Sequence, residues 1–567
     1  MGHQEILQRT SFAHVCGDSL IAAIAGLGLY ASFQPVGWWW LSVPALALNI
    51  SRIDEARAPR ALTVTFVFGM SFWLPLINWI PLAVGTTPPW FVLAFVQTLF
   101  LVAWVLFARW TQLWAWARGP IMQALLFGLT WAGVDAARSR WPWSGFPWGS
   151  VALPQVDSPL GHLAPYGGTT VITAVVVALA VLVRRAFAAR DASVIREHWF
   201  SRPALAVIVA TAYVAPLALT LPNQAENGML RIGVVQGDIA LPGAQAYKHE
   251  GEVTGNNVRT SLELASSPDV VDHPLDLAIW GEGSVDRDPV AFPAIGQAVD
   301  HAASALDAPV LIGYTNLNER DRVKNWLAIW EPGQGLEESA RYSKHVPVPF
   351  GEFIPFREFI ASFSTEVAQS SRDMEAGEEP PLMTVQARDG SAVPLAVGIC
   401  FEAAYPMVIG DGVARGGQAI VVPSNNYHFQ SSGESAQQGQ LLRMRAMEYS
   451  RSAVQSSTTG HSYVIRPDGS ILEQTDTEQA AMLTADIPLR SSLTLTAQAG
   501  EAQVVAVVKA DAYGHGVAAL LPVLCEMPCF AVACMEEALA LRALGLTQPV
   551  LLLEGVFAAD ELDVCAA

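Results

Sequence analysis

Three residues of different chemical type each follow an extended, strand-like segment. Glu282 comes after Leu275-Asp276-Leu277-Ala278-Ile279-Trp280-Gly281, Lys344 sits in the stretch RYSKHVPVPFGEFIPF, and Cys400 ends the run Leu395-Ala396-Val397-Gly398-Ile399. Runs of this kind read as buried strands, and a reactive side chain at the end of one is held rigidly while staying reachable. A thiol becomes a nucleophile only when a base or cation helps it lose its proton. The oxyanion formed by its attack then needs an N–H or positive partner. A carboxylate base, an ammonium and a thiol supply these three roles, which is the chemistry of acyl transfer through a thioester. Taken singly, each has an ordinary reading: Glu282 as a turn cap, Lys344 beside His345 as a solvated surface pair, and Cys400 as an inert buried thiol. Their occurrence together, in similar local contexts, is what points to a site.

The three blocks resemble the Glu-Lys-Cys signature of the nitrilase superfamily. The PFGEF core, which places Glu352 eight residues after Lys344, is similar to the branch of that superfamily called apolipoprotein N-acyltransferases. The resemblance implies Glu282 as general base, Lys344 with the backbone N–H of Phe401 as oxyanion partners, and Cys400 as the residue that carries the acyl thioester. It gives Glu352 and Glu402 supporting roles, Glu352 in holding Lys344 or a substrate group. It further implies a phospholipid acyl donor and, as acceptor, the α-amine of the diacylglyceryl-cysteine that begins an apolipoprotein. No metal or cofactor is expected for that ping-pong reaction.

At 567 residues, with 52% hydrophobic and only 15% charged, the chain is too long for one ordinary domain and too apolar to lie wholly in water. Its net charge of −19 offers no basic stripe for phosphates, which argues against nucleic acid as a partner. Nearly uncharged runs with tryptophans at their ends fill residues 1–222, the pattern of a polytopic α-helical membrane domain. Seven spans are expected, near residues 19–33, 36–50, 61–79, 90–107, 121–134, 167–183 and 203–221. The first two are short, as tilted pieces or one broken pair would be. No cleavable signal peptide is expected, because the first apolar run lacks a basic leader.

Arginines set the orientation. Arg52, Arg57 and Arg60, then Arg109 and Arg118, then Arg184, Arg185, Arg190, Arg196 and Arg202 lie in alternate loops. With these loops in the cytoplasm, the N-terminus is cytoplasmic too and the following domain emerges on the outer, periplasmic face of the bacterial inner membrane. The loop Trp141-Pro142-Trp143-Ser144-Gly145-Phe146-Pro147-Trp148-Gly149 falls on that outer side. A Trp-rich loop is ordinarily an interfacial aromatic belt, but this one also resembles the GFPW loop of apolipoprotein N-acyltransferases, as does residues 155–168 after it.

From Leu230 the texture changes to short β-branched runs at 230–235, 275–280, 309–314, 326–330, 394–400, 419–423, 462–465 and 482–487, with helix-like stretches at 292–306 and 435–451. Alternating strands and helices suggest an α/β layer fold, and the resemblance implies the nitrilase-like αββα sandwich, over 229–491. Phe350, Phe353, Phe356, Phe359 and Phe363 are equally readable as a greasy lid and as core. The SNN turn at Ser424 to Asn426 and the helix with Arg443-Met444-Arg445-Ala446-Met447-Glu448 extend the similarity. Gly281, Phe401, Asn426 and His428 depart from the usual residues, which bears on acceptor choice and lid closure.

Beyond a connector at 492–500 the pattern changes again. No further apolar span is expected there, although the family normally ends in one. Residues 501–567 carry Ala506-Val507-Val508-Lys509-Ala510-Asp511-Ala512-Tyr513-Gly514-His515-Gly516, which resembles the pyridoxal-phosphate lysine segment of the N-terminal part of alanine racemase. There Lys509 matches the Schiff-base lysine, yet so short a piece falls far below the ~250 residues of a closed (β/α)₈ barrel, so a truncated, non-functional tail is expected. Four of the six cysteines, Cys525, Cys529, Cys534 and Cys565, lie in it and match no zinc template or disulfide framework. The leading expectation is thus a membrane acyltransferase of lipoprotein maturation. A membrane-tethered nitrilase-type amidase and an inactive truncated fusion are the rivals.

Overall fold

The computed structural model describes residues 3–188, 202–239, 251–358, 372–429, 432–499, 505–524, 529–548 and 550–553. The expectations placed on Arg190, Arg196, Phe359, Phe363, Cys525 and Cys565 lie outside these. The chain forms two compact units, Met1–Gln498 and Ala499–Ala567.

The N-terminal part of the first unit is helical: α1 (His3–Ala31), α2 (Ser42–Glu55), α3 (Ala58–Leu76), α4 (Pro88–Thr111), α5 (Pro120–Arg138), α6 (Ala164–Ala188) and α7 (Arg202–Val214). Prolines in the first turns of α3, α4 and α5 fit where the N–H has no helical partner to lose. Glycines let the helices close on one another: a Cβ on Gly26 would sit 2.4 Å from the Phe68 carbonyl, and one on Gly128 2.3 Å from that of Ala174. Each expected apolar run falls on a helix, but the bounds differ. The first helix starts at His3, well before the apolar window, and α2 has 14 residues. Among the described residues, Pro88–Thr111 and Pro159–Phe187 are long and apolar enough to cross a membrane.

The arginine loops gather at one end of this helical layer. Arg109 donates to the carbonyls of Ile53 and Ala56, Arg184 pairs with Asp54 at 3.2 Å, and Arg185 donates to Gln123 and to the Arg118 carbonyl.

From β1 onward the first unit is built of two six-stranded sheets. One has the order β12-β1-β2-β3-β4-β5, from Ala481–Pro488, Met229–Gln236, Leu277–Trp280, Val310–Leu317, Val323–Glu331 and Gly335–Ser343. The other runs β11-β10-β9-β8-β7-β6, from Ile471–Gln474, Tyr463–Ile465, Ser452–Gln455, Ala419–Val421, Ala392–Val397 and Leu382–Gln386. β1, β2 and β3 are parallel, as are β7, β8 and β9, while the outer strands are antiparallel. Period-two alternation decides what each strand buries. Leu277, Ile279, Leu395 and Val397 enter the core between the sheets. Ala278 and Trp280 point the other way, onto α8 (Glu252–Ala265) and α9 (Pro293–Leu306), and Ala396 packs beneath α10 (Pro406–Ala414) and α11 (Glu434–Tyr449). The result is the expected αββα sandwich. Sequence patterning misses β5, β6, β9 and β11, which are short, edge-placed or polar.

α11 belongs to both halves of the unit. Leu442, Ala446 and Tyr449 cover the second sheet, whereas Leu441, Met444 and Met447 lie in the core of the N-terminal helices. A helix buried all round is normally apolar. This one is rich in Gln, Arg and Glu, and its polar side chains are the ties between the halves: Gln437 to Trp79, Trp148 and the Leu76 carbonyl, Arg443 to Asp157, and Glu448 to the Thr169 N–H at the start of α6.

In the second unit β13 (Val505–Val507), β14 (Cys529–Val532) and β15 (Val550–Leu552) form a parallel sheet in that order, with α12 (Val517–Leu524) and α13 (Met535–Ala543) as crossovers. Phe530, Val532 and Leu541 form its small core.

Candidate active site

Glu282 lies in the turn just past β2. That turn packs against β3 at Gly313, where any Cβ would come within 2.8 Å of the Gly281 carbonyl and of the Gly283 amide. Its carboxylate is fixed on both oxygens. Asn325 Nδ2, from β4, donates to Oε1 at 2.7 Å, and the Asn425 N–H donates to Oε2 at 3.0 Å.

Lys344 directly follows β5 and is buried. Its Nζ is 2.6 Å from Glu352 Oε1 and 3.4 Å from Glu282 Oε1. Glu352 is in turn held through Oε2 by the Val348 N–H at 2.7 Å, so it closes the lysine loop on itself. Burial alone would lower the Lys344 pKa, but the carboxylates of Glu282 and Glu352 overcome it and hold the ammonium charged well above the ordinary range.

The strand expected to run into Cys400 stops at Val397 instead. The Gly398 and Cys400 N–H groups still go to the Val421 and Pro423 carbonyls, but the Glu402 carboxylate takes the Ile399 N–H at 2.7 Å, so the chain turns out of the sheet at Cys400. Cys400 opens the single-turn helix Cys400–Ala404 with φ of +54°, a left-handed conformation that a side chain adopts only under constraint. The same Glu402 carboxylate accepts the N–H groups of His345 and Val346, at 2.7 and 2.9 Å, and the Tyr342 hydroxyl at 2.9 Å. One buried carboxylate therefore ties the backbone beside the thiol to the backbone beside the lysine.

Cys400 is partly open to solvent. Burial of the thiol group and the nearby Glu282 carboxylate push its pKa well up, and the Lys344 ammonium pulls in the other direction. At rest it is a thiol whose proton has a fixed carboxylate to go to. The structure thus brings Glu282, Lys344 and Cys400 into one electrostatically linked group, with Glu352 and Glu402 beside it. Phe401 faces the N-terminal helices: its ring is parallel to that of Trp148 and 6.0 Å from that of Phe146.

Sequence reasoning passed over Asn325, Tyr342, Glu434 and Gln438, and placed Asn425 in the SNN turn without giving it a role. A lone asparagine inside the apolar run of β4 was the available signal for Asn325. Of the phenylalanines, Phe350 and Phe356 pack edge-on against Trp143 at 5.7 and 5.9 Å while remaining exposed, and Phe353 is half-buried.

In the second unit, Lys509 begins a left-handed turn in which Ala510, Asp511 and Ala512 all have φ near +52°. The acidic side chains around that turn are committed to backbone amides: Glu537 accepts from Ala510 and Ala533, and Asp511 from Val517. Among the described residues the second unit builds three parallel strands, where the closed barrel that holds pyridoxal phosphate needs eight.

Residues 25–182 match the apolipoprotein N-acyltransferase N-terminal domain, residues 257–495 the carbon-nitrogen hydrolase family, and residues 492–567 the alanine racemase N-terminal domain. The apolipoprotein N-acyltransferase of Mycolicibacterium smegmatis is 31% identical over 533 residues, covering 89% of this chain and 85% of that protein. Those of Photobacterium profundum and Ralstonia nicotianae are 25% and 26% identical, covering 84% and 92% of this chain and 90% and 96% of their own. Among solved structures, Saccharomyces cerevisiae Nit3, a member of the nitrilase superfamily, aligns at 16% identity and a TM-score of 0.34, over 46% of this chain and 90% of its own.

Proposed function

The chain belongs to the apolipoprotein N-acyltransferase family, and from that premise we propose how its residues carry the acyl group. The enzyme is an acyltransferase that N-acylates lipoproteins. Glu282 takes the Cys400 proton as Sγ attacks an ester carbonyl of a phospholipid. The Lys344 ammonium and the Phe401 N–H hold the resulting oxyanion. As the C–O bond breaks, Glu282 returns the proton to the departing lysophospholipid oxygen, leaving the thioester on Cys400. The α-amine of an apolipoprotein's diacylglyceryl-cysteine then attacks that carbonyl, Glu282 accepts its proton, and the C–S bond breaks to release the N-acylated product and the thiol.

The observation that carries this reading is the linked placing of Glu282, Lys344 and Cys400, with Glu402 tying the backbone beside the thiol to that beside the lysine. Glu282 is oriented as a base by Asn325 and the Asn425 N–H, with the Lys344 ammonium 3.4 Å from its Oε1. Glu352 positions Lys344.

Residues 1–222 are the membrane domain in this proposal, with seven spans and a cytoplasmic N-terminus, and residues 229–491 are the catalytic domain, on the periplasmic face. What supports it is the gathering of Arg109, Arg184 and Arg185 at one end of the helices, while the Trp148 loop and α11 meet at the other. Exposed Trp110, Trp114 and Trp116 flank the arginine end, and exposed Trp38, Trp40 and Trp141 lie in loops assigned to the opposite end. Both substrates are lipid-anchored, so a site beside such a domain meets them where they reside. Trp143, Phe350 and Phe356 form an apolar rim for the acyl chain.

Incubation of the detergent-purified chain with phospholipid, followed by mass spectrometry of the Cys400 peptide, tests the first half-reaction. A hydroxylamine-labile acyl increment, absent in Cys400→Ala, is expected. An intact phospholipid and no increment in folded protein would favour an inactive chain. An increment that is lost to water, with no amine acceptor needed, would favour an amidase.

A further inference from the structure

We propose that Gln438 is a further catalytic residue of this site, its side-chain N–H stabilising the Cys400 thiolate. The inference rests on the reading of Cys400 as the nucleophile. Gln438 Nε2 lies 3.7 Å from Cys400 Sγ, within reach of an N–H···S hydrogen bond, and its second hydrogen goes to Ser424 Oγ at 3.2 Å.

The direction of this amide is set by its surroundings. Gln438 Oε1 accepts from Asn426 Nδ2 at 2.8 Å, so a reversed amide would bring two NH₂ groups together and turn a carbonyl oxygen toward the sulfur. Asn426 is itself fixed. Ser457 Oγ accepts the Gly460 N–H and gives its own proton to Asn426 Oδ1, while Asn426 Nδ2 also donates to Glu434 Oε2 at 2.8 Å. Gln438 is buried, on a helix enclosed on all sides, and its neighbour Gln437 is bonded to Trp79, Trp148 and the Leu76 carbonyl. Neither the side chain nor the backbone that carries it has room to swing away.

The chemistry uses such a donor beside the Asn425 N–H, which also favours the thiolate. The charged groups that face the sulfur are Glu282, Lys344 and Glu434. Lys344 is already shared between two carboxylates, and when Glu282 has taken a proton the ammonium must also serve the oxyanion. A neutral N–H aimed at Sγ stabilises the thiolate as it forms and again as it leaves the second tetrahedral intermediate. Burial pushes the Glu434 carboxyl up to about 8, so at neutral pH it adds no second negative charge behind the sulfur.

The test is the pH dependence of alkylation at Cys400 by iodoacetamide in the full-length, detergent-purified chain, read by mass spectrometry of the Cys400 peptide. Gln438→Met keeps length and flexibility without the donor, Gln438→Glu replaces the donor by an acceptor, and Gln438→Asn shortens the arm by one methylene. Each is compared with wild type after its cooperative thermal unfolding has been verified. In the folded variants the midpoint is expected to rise by about one pH unit, roughly tenfold slower alkylation at a fixed pH below it, with the largest shift in Gln438→Glu. An unchanged midpoint in any folded variant lacking the donor overturns the proposal, as does failure of all three to fold, which would make the side chain structural. Loss of the nucleophile reading looks different: Cys400→Ala would then retain acyl transfer whatever the midpoints show.

Discussion

The rings of Trp148 and Phe401 lie parallel, 1° apart in plane and 5.5 Å between centroids. Phe401 follows the nucleophile directly, and Trp148 closes the loop that α5 and α6 hold up to it. Trp148 also donates its indole N–H to Gln437 at 2.7 Å, next to Gln438 on α11. The helical layer therefore reaches both the residue after Cys400 and the helix that carries Gln438 through a single side chain. Arg138 braces that loop from behind, donating to the Phe146 carbonyl and lying 5.0 Å over the Trp73 ring.

Trp148→Phe removes the bond to Gln437 and part of the stack but keeps an aromatic ring. Loss of one buried hydrogen bond costs about 1 to 3 kcal/mol. A modest fall in the unfolding temperature is expected, with acyl transfer falling about tenfold, because the Phe401 N–H then lacks a fixed direction. Unchanged initial rates of Cys400 acylation in Trp148→Phe would show that the stack is only packing.

Lys344→Met takes away the ammonium and leaves Glu282 and Glu352 buried together without a cation. Removing one partner of a buried ion pair costs ~3 to 5 kcal/mol, and losing one oxyanion donor costs ~10²- to 10³-fold in rate. Both losses are expected. The stability defect should shrink at pH 5 relative to pH 8, because Glu352, whose carboxyl burial already pushes up, can then protonate in place of its missing partner. Denaturant melts of the variant at both pH values check this; an equal defect at each would mean that the charges do not matter to the fold.

Lys509 leads to a prediction of no effect. Adding pyridoxal phosphate to the purified chain is expected to give no new visible absorbance, and Lys509→Ala should leave Cys400 acylation unaltered. The reason is that the described residues of the second unit form three parallel strands, well short of the closed eight-stranded barrel. An absorbance band lost in Lys509→Ala would refute it.

Glu282 and Cys400 were legible because each is announced by an apolar strand that ends abruptly, β2 and β7, whereas Lys344, after the polar β5, was legible only through the stretch RYSKHVPVPFGEFIPF that carries it. The sandwich was legible for the same reason, since β1, β2, β3 and β7 are central strands with continuous apolar runs. Less legible was everything that acts through polar side chains in buried places. Composition gives no warning that the QQGQ stretch of α11 is interior, because its burial comes from packing between a sheet and a helical layer distant in sequence. Nor could it show that Glu402 would bend the chain at Cys400, or that Asn325, 43 residues from Glu282, would orient it. These depend on tertiary neighbours that no local pattern records.

Glu434 makes the stability of this region depend on pH, with a definite sign. Its carboxyl is pushed by burial up to about 8 in the folded chain, against an ordinary value near 4.5. Below about 4.5 it is protonated in both folded and unfolded chains and contributes no pH dependence. Between there and 8 the unfolded chain ionises while the folded one keeps its proton, so folding grows less favourable by ~1.4 kcal/mol per pH unit for this one group. Glu434→Gln presents the same acceptor to Asn426 without an ionisable proton, so that slope should vanish from its profile. The variant is expected to match wild type in stability near pH 4.5 and to exceed it progressively toward pH 8. Thermal melts of the two chains at several pH values in that window decide the matter, and parallel profiles would place the group's titration near its ordinary value and remove the argument that it stays neutral behind the sulfur.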